Sequence, residues 1–445
     1  MRDKNKPSSC AQGSGKPKIG ILSLGCARNL VDSESILGRL DLKGYSIVDI
    51  DKADIGIVNT CAFIEEAKGE SIDAILDLID LKREGKLKKI IVYGCLAQRY
   101  KNKLRRELPE VDAFVGTISL NHRLRRFSLT PKHYVYLKIC EGCINKCSYC
   151  VIPKIKPRFT SLGIDSILNK VETFDKDRVS ELNIIGQDIT GYGIDLYGTK
   201  KLSELLDKII KKIKNIGWIR LLYLYPGPLI DELLDLMRDS PKICKYIDLP
   251  IQHINERILR LMHRGTTKKD ILKLIDKIRK KVPGVAIRTS LIVGFPSETD
   301  REFQELVKFI EEIRFERLGA FIYSREEGTP AYNFKGQVPK KTKIERLNAI
   351  MSRQQLISQE VNKKFLGQVM DVLVDGKEKD FHPVRKDTFR DMDFSNEVYL
   401  GRSQYDAPEV DGLVFVSSKK KLEPGNFVKV KITDTLEYDL VGEAL

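Results

Sequence analysis

The chain has 445 residues, too many for one ordinary core, so two or three domains are expected, each burying its own apolar surface. Lys and Arg number 77 against 62 Asp and Glu, a formal charge of +15. That excess suits a phosphate-rich partner such as RNA or a ribosome, although Lys pairs spread as in "KKIKN" describe solvated helix faces equally well. The opening "MRDKNKPSSCAQGSGKP" lacks the apolar core of a signal peptide, and no run of about 18 uncharged apolar residues is long enough to span a membrane. A soluble cytoplasmic protein is therefore expected. In that reducing compartment its nine cysteines bind metal or do chemistry more often than they form disulfides.

Residues 1–17 read as a disordered start. From 18 to 130, apolar β-rich runs alternate with amphipathic helices such as "AKGESIDAILDLIDLKREG", the pattern of a parallel α/β sheet. From 133 to 365 the alternation lengthens. "ELNIIGQD", "IRLLYLYP", "KYIDLPIQH", "VAIRTSLIVGFP" and "ERLGAFIYS" read as strands separated by Lys-rich helices, with a long polar helix at about 340–365. Five or six such units predict a full or partial (β/α) barrel with its site where the strands end. From 366 to 445, "GQVMDVLVDG", "GLVFVSS" and "NFVKVKITD" predict a small antiparallel barrel of the kind that carries nucleic-acid or protein contacts.

Two sets of cysteines stand out. Cys143, Cys147 and Cys150 form CxxxCxxC between the apolar strand "YVYLKIC" and the Pro-rich "VIPKIKPRF". Three thiolates on one tight loop can hold three irons of a 4Fe-4S cluster and leave the fourth iron open to a ligand. A zinc site would instead show paired CxxC knuckles. Cys140, three residues earlier, reads as a buried strand-end cysteine outside the set. Cys26, Cys61 and Cys95 each follow an apolar strand, in "KIGILSLGC", "ADIGIVNTC" and "KKIIVYGC". If those strands are parallel neighbours, the three thiols emerge at one carboxyl edge, where open α/β sheets place ligands. Cys10 and Cys244 fit neither set.

The cysteine loop resembles that of the radical S-adenosylmethionine enzymes. Two three-cysteine sets in this order, with "LGCARN", "VNTCAFIEEAK", "IVGFPSET" and "YSREEGTPA", resemble the methylthiotransferase family within that group over nearly the whole chain. The resemblance implies two 4Fe-4S clusters and S-adenosylmethionine as cofactors. It implies a 5'-deoxyadenosyl radical that takes hydrogen from a substrate carbon, sulfur delivered from the N-terminal cluster, a second S-adenosylmethionine as methyl donor, and a C-terminal TRAM barrel. It places Tyr149 beside the adenine. Where the family carries Arg-Gly and then Ser-Arg, this chain has "KPRFTSLG", with Pro157 and Leu162, which weakens transfer of cofactor contacts to that stretch.

Other residues have two readings. Gln187 and Asp188 end a barrel strand, as a site role or a loop cap would require. His253 in "PIQH" reads as a site residue or as a hydrogen-bonded structural histidine. Arg288 lies inside "VAIRTS" and needs an anionic partner, such as a carboxylate of cofactor or substrate. "GFPSETD" reads as a strand-to-helix turn capped by Ser297 or Thr299.

"GQDITGYGIDLY" at 186–197 and "GRSQYDAPEVDG" at 401–412 resemble the branch that methylthiolates the β-carbon of an aspartate in the small-subunit ribosomal protein numbered twelve. Asp406, Glu409 and Asp411 are expected to place negative charge on a surface that attracts that basic protein. A ribosomal-protein substrate, an electron donor and a secondary contact with RNA are the expected partners, with no membrane. The alternatives are methylthiolation of a tRNA adenosine, which the net charge favours, and a noncatalytic iron-sulfur RNA-binding protein, which would want four protein ligands per cluster.

Overall fold

The computed structural model describes residues 16–118, 120, 126–227, 231–378 and 397–445. Cys10 and nearly all of the segment expected to be disordered lie outside them. The chain divides into two compact units, Met1–Leu129 and Thr130–Leu445.

In the first unit four parallel strands stand in the order β1 (Ile19–Ser23), β2 (Ile55–Thr60), β3 (Lys89–Gly94) and β4 (Ala113–Val115). Helices α1 (Ala27–Leu42), α2 (Glu65–Arg83) and α3 (Cys95–Glu107) make the crossovers. Runs such as "IGIVNT" are apolar because a parallel sheet carries helices and is buried on its faces. Val58, Ile75, Leu78, Ile79, Ile90 and Val92 form the core on one side.

The second unit begins with β5 (Tyr134–Lys138), then the short antiparallel pair β6 (Cys140–Glu141) and β7 (Thr160–Ser161), with α4 (Ile152–Ile155) between them. There follow α5 (Ile164–Lys176), β8 (Glu181–Ile185), α6 (Ile194–Tyr197), α7 (Leu202–Lys212), β9 (Trp218–Leu221), α8 (Asp231–Asp239) and β10 (Tyr246–Asp248). The series ends with α9 (Glu256–Leu261), α10 (Lys268–Lys281), β11 (Ala286–Val293), α11 (Asp300–Ile313), β12 (Arg317–Ile322) and α12 (Lys340–Asn362). Strands β5-β8-β9 and β10-β11-β12 are two parallel sheets. The Ile219 N–H to Lys242 O bond (2.7 Å) and the Leu224 N–H to Asp248 O bond (3.0 Å) join them. Six strands thus make the expected partial barrel. Strands β13 (Val369–Lys377), β14 (Glu397–Ser403), β15 (Val414–Ser418), β16 (Phe427–Thr435) and β17 (Leu440–Ala444) close on one another in the order β13-β14-β15-β17-β16. Closure leaves no free edge. Val372, Val374, Val414, Val416, Val430 and Ile432 fill the interior.

The small barrel belongs to the second unit because "GRSQYDAPEVDG" is buried against the first residues of the parallel strands. Arg402 donates to Glu181 (2.6 Å), and Arg220 donates to Glu181 (2.8 Å) and to the Gln404 carbonyl (2.7 Å). Tyr134 donates to Glu409 (3.0 Å), Tyr246 to Asp411 (2.6 Å) and Arg317 to Asp406 (2.9 Å). This corrects the expectation of an open acidic surface for Asp406 and Asp411, whereas Glu409 remains exposed. Asp406 is only 1% exposed, and all three carboxylates are directed at partners in the same chain. A buried carboxylate needs such partners to offset lost hydration. The barrel therefore closes the amino-terminal ends of the strands, and the carboxyl-terminal ends remain for the site.

Candidate functional site: two cysteine sets at strand ends

In the first unit each of the three cysteines follows a parallel strand, as the sequence pattern requires. Cys26 is the N-cap of α1, Cys61 follows β2 directly, and Cys95 opens α3. One side chain ties the three strand ends together. Asn29 donates through Nδ2 to the carbonyls of Leu24 (3.0 Å) and Thr60 (3.2 Å), and the Cys95 thiol lies 3.8 Å from its Oδ1. Asn59 holds it from below, donating to the Asn29 carbonyl (2.7 Å). Neither asparagine was singled out from sequence, yet each lies within a quoted motif, "LGCARN" or "VNTCAFIEEAK". Space is tight: a Cβ on Gly25, whose φ is +86°, would stand 2.8 Å from the Cys61 Cβ, so this turn requires glycine.

The thiols differ electrostatically. Burial raises the Cys26 thiol, but the Arg28 guanidinium, whose Nε is 3.3 Å from its sulfur, outweighs this and holds it below the usual thiol range. Burial raises Cys61, and the neighbouring Cys26 charge adds to the rise. A bound iron would relieve that repulsion, since metal ligation deprotonates thiols.

In the second unit the CxxxCxxC loop leaves the carboxyl end of β5 and β6. Asn145 bridges it to the end of β8, reaching the Cys143 sulfur (3.5 Å) and donating to Asp188 (2.7 Å). Asp188 also accepts from the Thr190 amide (2.9 Å), so it both caps the next turn and is tied to the cysteine loop through Asn145. Gln187 beside it has a buried Oε1 with no hydrogen-bond partner among the described residues, an orphaned acceptor of the kind a ligand would satisfy. The Ser148 amide donates to the Met262 carbonyl (3.0 Å) and the Ser148 hydroxyl to Leu261 (2.6 Å), so the loop is clasped from behind. Tyr149 packs its ring against Ile258, Met262, Phe295 and Tyr323.

Cys140 is fully buried, its sulfur 3.5 Å from the Asp188 carbonyl and pressed on Gly186, where a Cβ would stand 2.5 Å away. It serves packing. Cys140→Ser is expected to keep its full iron complement on anaerobic reconstitution; loss of about half the iron would place it among the ligands. Cys244 is also buried, its thiol pushed up to about 12 by desolvation, as befits a bystander.

Arg288 has its anionic partners within the chain, Asp248 (3.1 Å) and Asp411 (3.3 Å). His253 is buried, accepts from the Asn255 amide through Nδ1 (3.0 Å) and lies with Nε2 3.5 Å from Glu298. Thr299, not Ser297, caps α11 in a reciprocal box with Glu302.

Both sets fit a 4Fe-4S cluster in donor chemistry: three thiols, following three strand ends in the first unit and on one loop after β6 in the second, with Arg28 and Asn145 donating to sulfur. Among the described residues no three His, Cys, Asp or Glu side chains are gathered tightly enough to hold a single metal ion. A cluster, whose irons sit on separate corners, asks for ligands set further apart.

Known proteins place this architecture. Residues 137–310 match the Radical SAM superfamily, residues 18–116 the Uncharacterized protein family UPF0004, and residues 391–445 the TRAM domain. The radical S-adenosylmethionine methyltransferase TsrM from Kitasatospora setae, solved with cobalamin and a [4Fe-4S] cluster bound, shares the fold at a TM-score of 0.51 and 12% identity, over 80% of each chain. The fold and cysteine loop thus define a radical S-adenosylmethionine enzyme with a TRAM barrel.

Two relatives narrow the class. The chain is 44% identical to the ribosomal protein uS12 methylthiotransferase RimO of Clostridioides difficile (strain 630), over 96% of this chain and 99% of that one. It is 45% identical to that of Caldanaerobacter subterraneus subsp. tengcongensis, with the same coverages. The chain belongs to the uS12 methylthiotransferase family of radical S-adenosylmethionine enzymes.

Proposed function

We propose that the protein inserts sulfur and a methyl group at the β-carbon of an aspartate in ribosomal protein uS12. Near-full-length identity to relatives of that name carries this reading. In it, Cys143, Cys147 and Cys150 hold the cluster whose open iron takes S-adenosylmethionine, and Cys26, Cys61 and Cys95 hold the auxiliary cluster. Once bound, the two clusters supply cleavage of the cofactor and the sulfur to be transferred. The protein's own part is to hold the thiols at strand ends through Asn29 and Asp188, and to offer Gln187 and Tyr149 to the cofactor. We assign residues 18–130 to the auxiliary-cluster domain, 133–365 to the radical core and 366–445 to the TRAM barrel.

Asp406 and Asp411 are engaged inside the molecule, which leaves the exposed Glu409 as the acidic side chain of 401–412 open to a basic partner. Exposed Lys419, Lys420 and Lys431 on the small barrel suit a supporting contact with ribosomal RNA. No helix among the described residues is long and apolar enough to cross a membrane, and a cytoplasmic setting with an external one-electron donor completes the reading. The test incubates reconstituted enzyme with S-adenosylmethionine, a sulfide source and reductant, offering uS12 and unmodified tRNA side by side. A methylthio mass gain on the target aspartate peptide is expected. The same gain on a tRNA adenosine, with none on the peptide, would move the protein to the tRNA branch.

A further inference from the structure

We propose that Arg264 raises the reduction potential of the radical cluster by fixing a buried positive charge against one of its ligands. The inference rests on Cys147 being such a ligand.

Arg264 follows α9 in "LMHRG" and is 9% exposed. Its Nη1 lies 3.7 Å from the Cys147 sulfur and 3.5 Å from the Tyr149 hydroxyl, its Nη2 donates to the Pro250 carbonyl, and its guanidinium lies 4.3 Å from the Tyr225 ring centroid. Nε is buried with no hydrogen-bond partner among the described residues. The backbone holds this placement. His263 adopts φ +53°, in the left-handed region, and the preceding carbonyls of Leu261 and Met262 are those that clasp Ser148.

Among the described residues no carboxylate pairs with the guanidinium; its partners are a sulfur, a phenol, a carbonyl and an aromatic face. Burying a guanidinium in this way is costly unless something negative offsets it. A thiolate-ligated cluster is anionic, and one-electron reduction adds a further negative charge. A fixed cation at a ligand sulfur therefore favours the reduced state, and burial keeps salt from screening it. Arginine suits the task because it stays charged at every accessible pH.

The test is an anaerobic redox titration of reconstituted holoenzyme, following the EPR signal whose shape changes when S-adenosylmethionine is added. Wild type is compared with Arg264→Gln and Arg264→Lys, with iron content measured in each. Arg264→Gln is expected to lower the reduced-to-oxidised ratio about tenfold at a given potential, a midpoint about 59 mV lower for a one-electron couple. Arg264→Lys is expected to keep most of the wild-type midpoint. An unchanged midpoint in Arg264→Gln, or an equal fall in both variants, would overturn the proposal. So would loss of iron from Arg264→Gln, which would make Arg264 a retention residue. A wild-type protein with no S-adenosylmethionine-sensitive signal would instead fault the assignment of the cluster.

Discussion

Cys147→Ala is expected to reduce 5'-deoxyadenosine formation to the level of a reaction without enzyme, whereas Cys61→Ala is expected to retain it and lose all methylthio transfer. The thiols occupy different structural units, and each set is held by its own asparagine, Asn145 or Asn29. Removing one ligand from a three-thiolate site leaves two, too few to retain a cluster with an open iron. Iron content should fall by about half in each variant, since two like clusters are expected. Measured after anaerobic reconstitution with dithionite as reductant, loss of cofactor cleavage in Cys61→Ala despite an intact radical cluster would show that the two sets do not act separately.

Glu181→Ala should be the most destabilising single change at the join between the partial barrel and the small barrel. Glu181 is fully buried between Arg220 and Arg402, which are 0% and 2% exposed. Its own carboxyl is held below the usual range: burial would raise it, but the two guanidiniums outweigh burial. Truncation leaves two buried cations with one shared anion gone, at a cost of about 3–5 kcal/mol. The urea midpoint of the second unit should fall accordingly. Glu204→Ala, which breaks only exposed pairs with Lys201 and Lys208, serves as the control and should leave that midpoint in place. Equal midpoints for wild type and Glu181→Ala would mean that the network contributes nothing to the join.

Much of the site was legible because its chemistry is local. CxxxCxxC announces itself in eight residues, and three strands that stop at a cysteine need only be parallel neighbours for the thiols to share an edge. Period and composition likewise carried the alternation of strand and helix, and short strands between Gly and Pro turns carried the small barrel, though "EVYLGRS" and the last strand, Leu440–Ala444, were not anticipated. Neither Asn29 nor Arg264 could be found this way. A side chain that ties three strand ends, or that reaches a loop more than a hundred residues away in sequence, leaves no periodic signal.

Charge was misread for the same reason. A string of Asp and Glu in "GRSQYDAPEVDG" looks solvated when its partners are unknown, and Arg288 looks open when Asp248 and Asp411 are out of sight. The sequence by itself determined the fold class and the placing of the cysteines after strands and in one loop, because these depend on residue type and spacing along the chain. Only the tertiary structure decided which end of the parallel strands the small barrel closes and which ionised groups are spent on that closure. The reason is that desolvation and pairing energies depend on distances between residues far apart in sequence, which spacing along the chain does not encode.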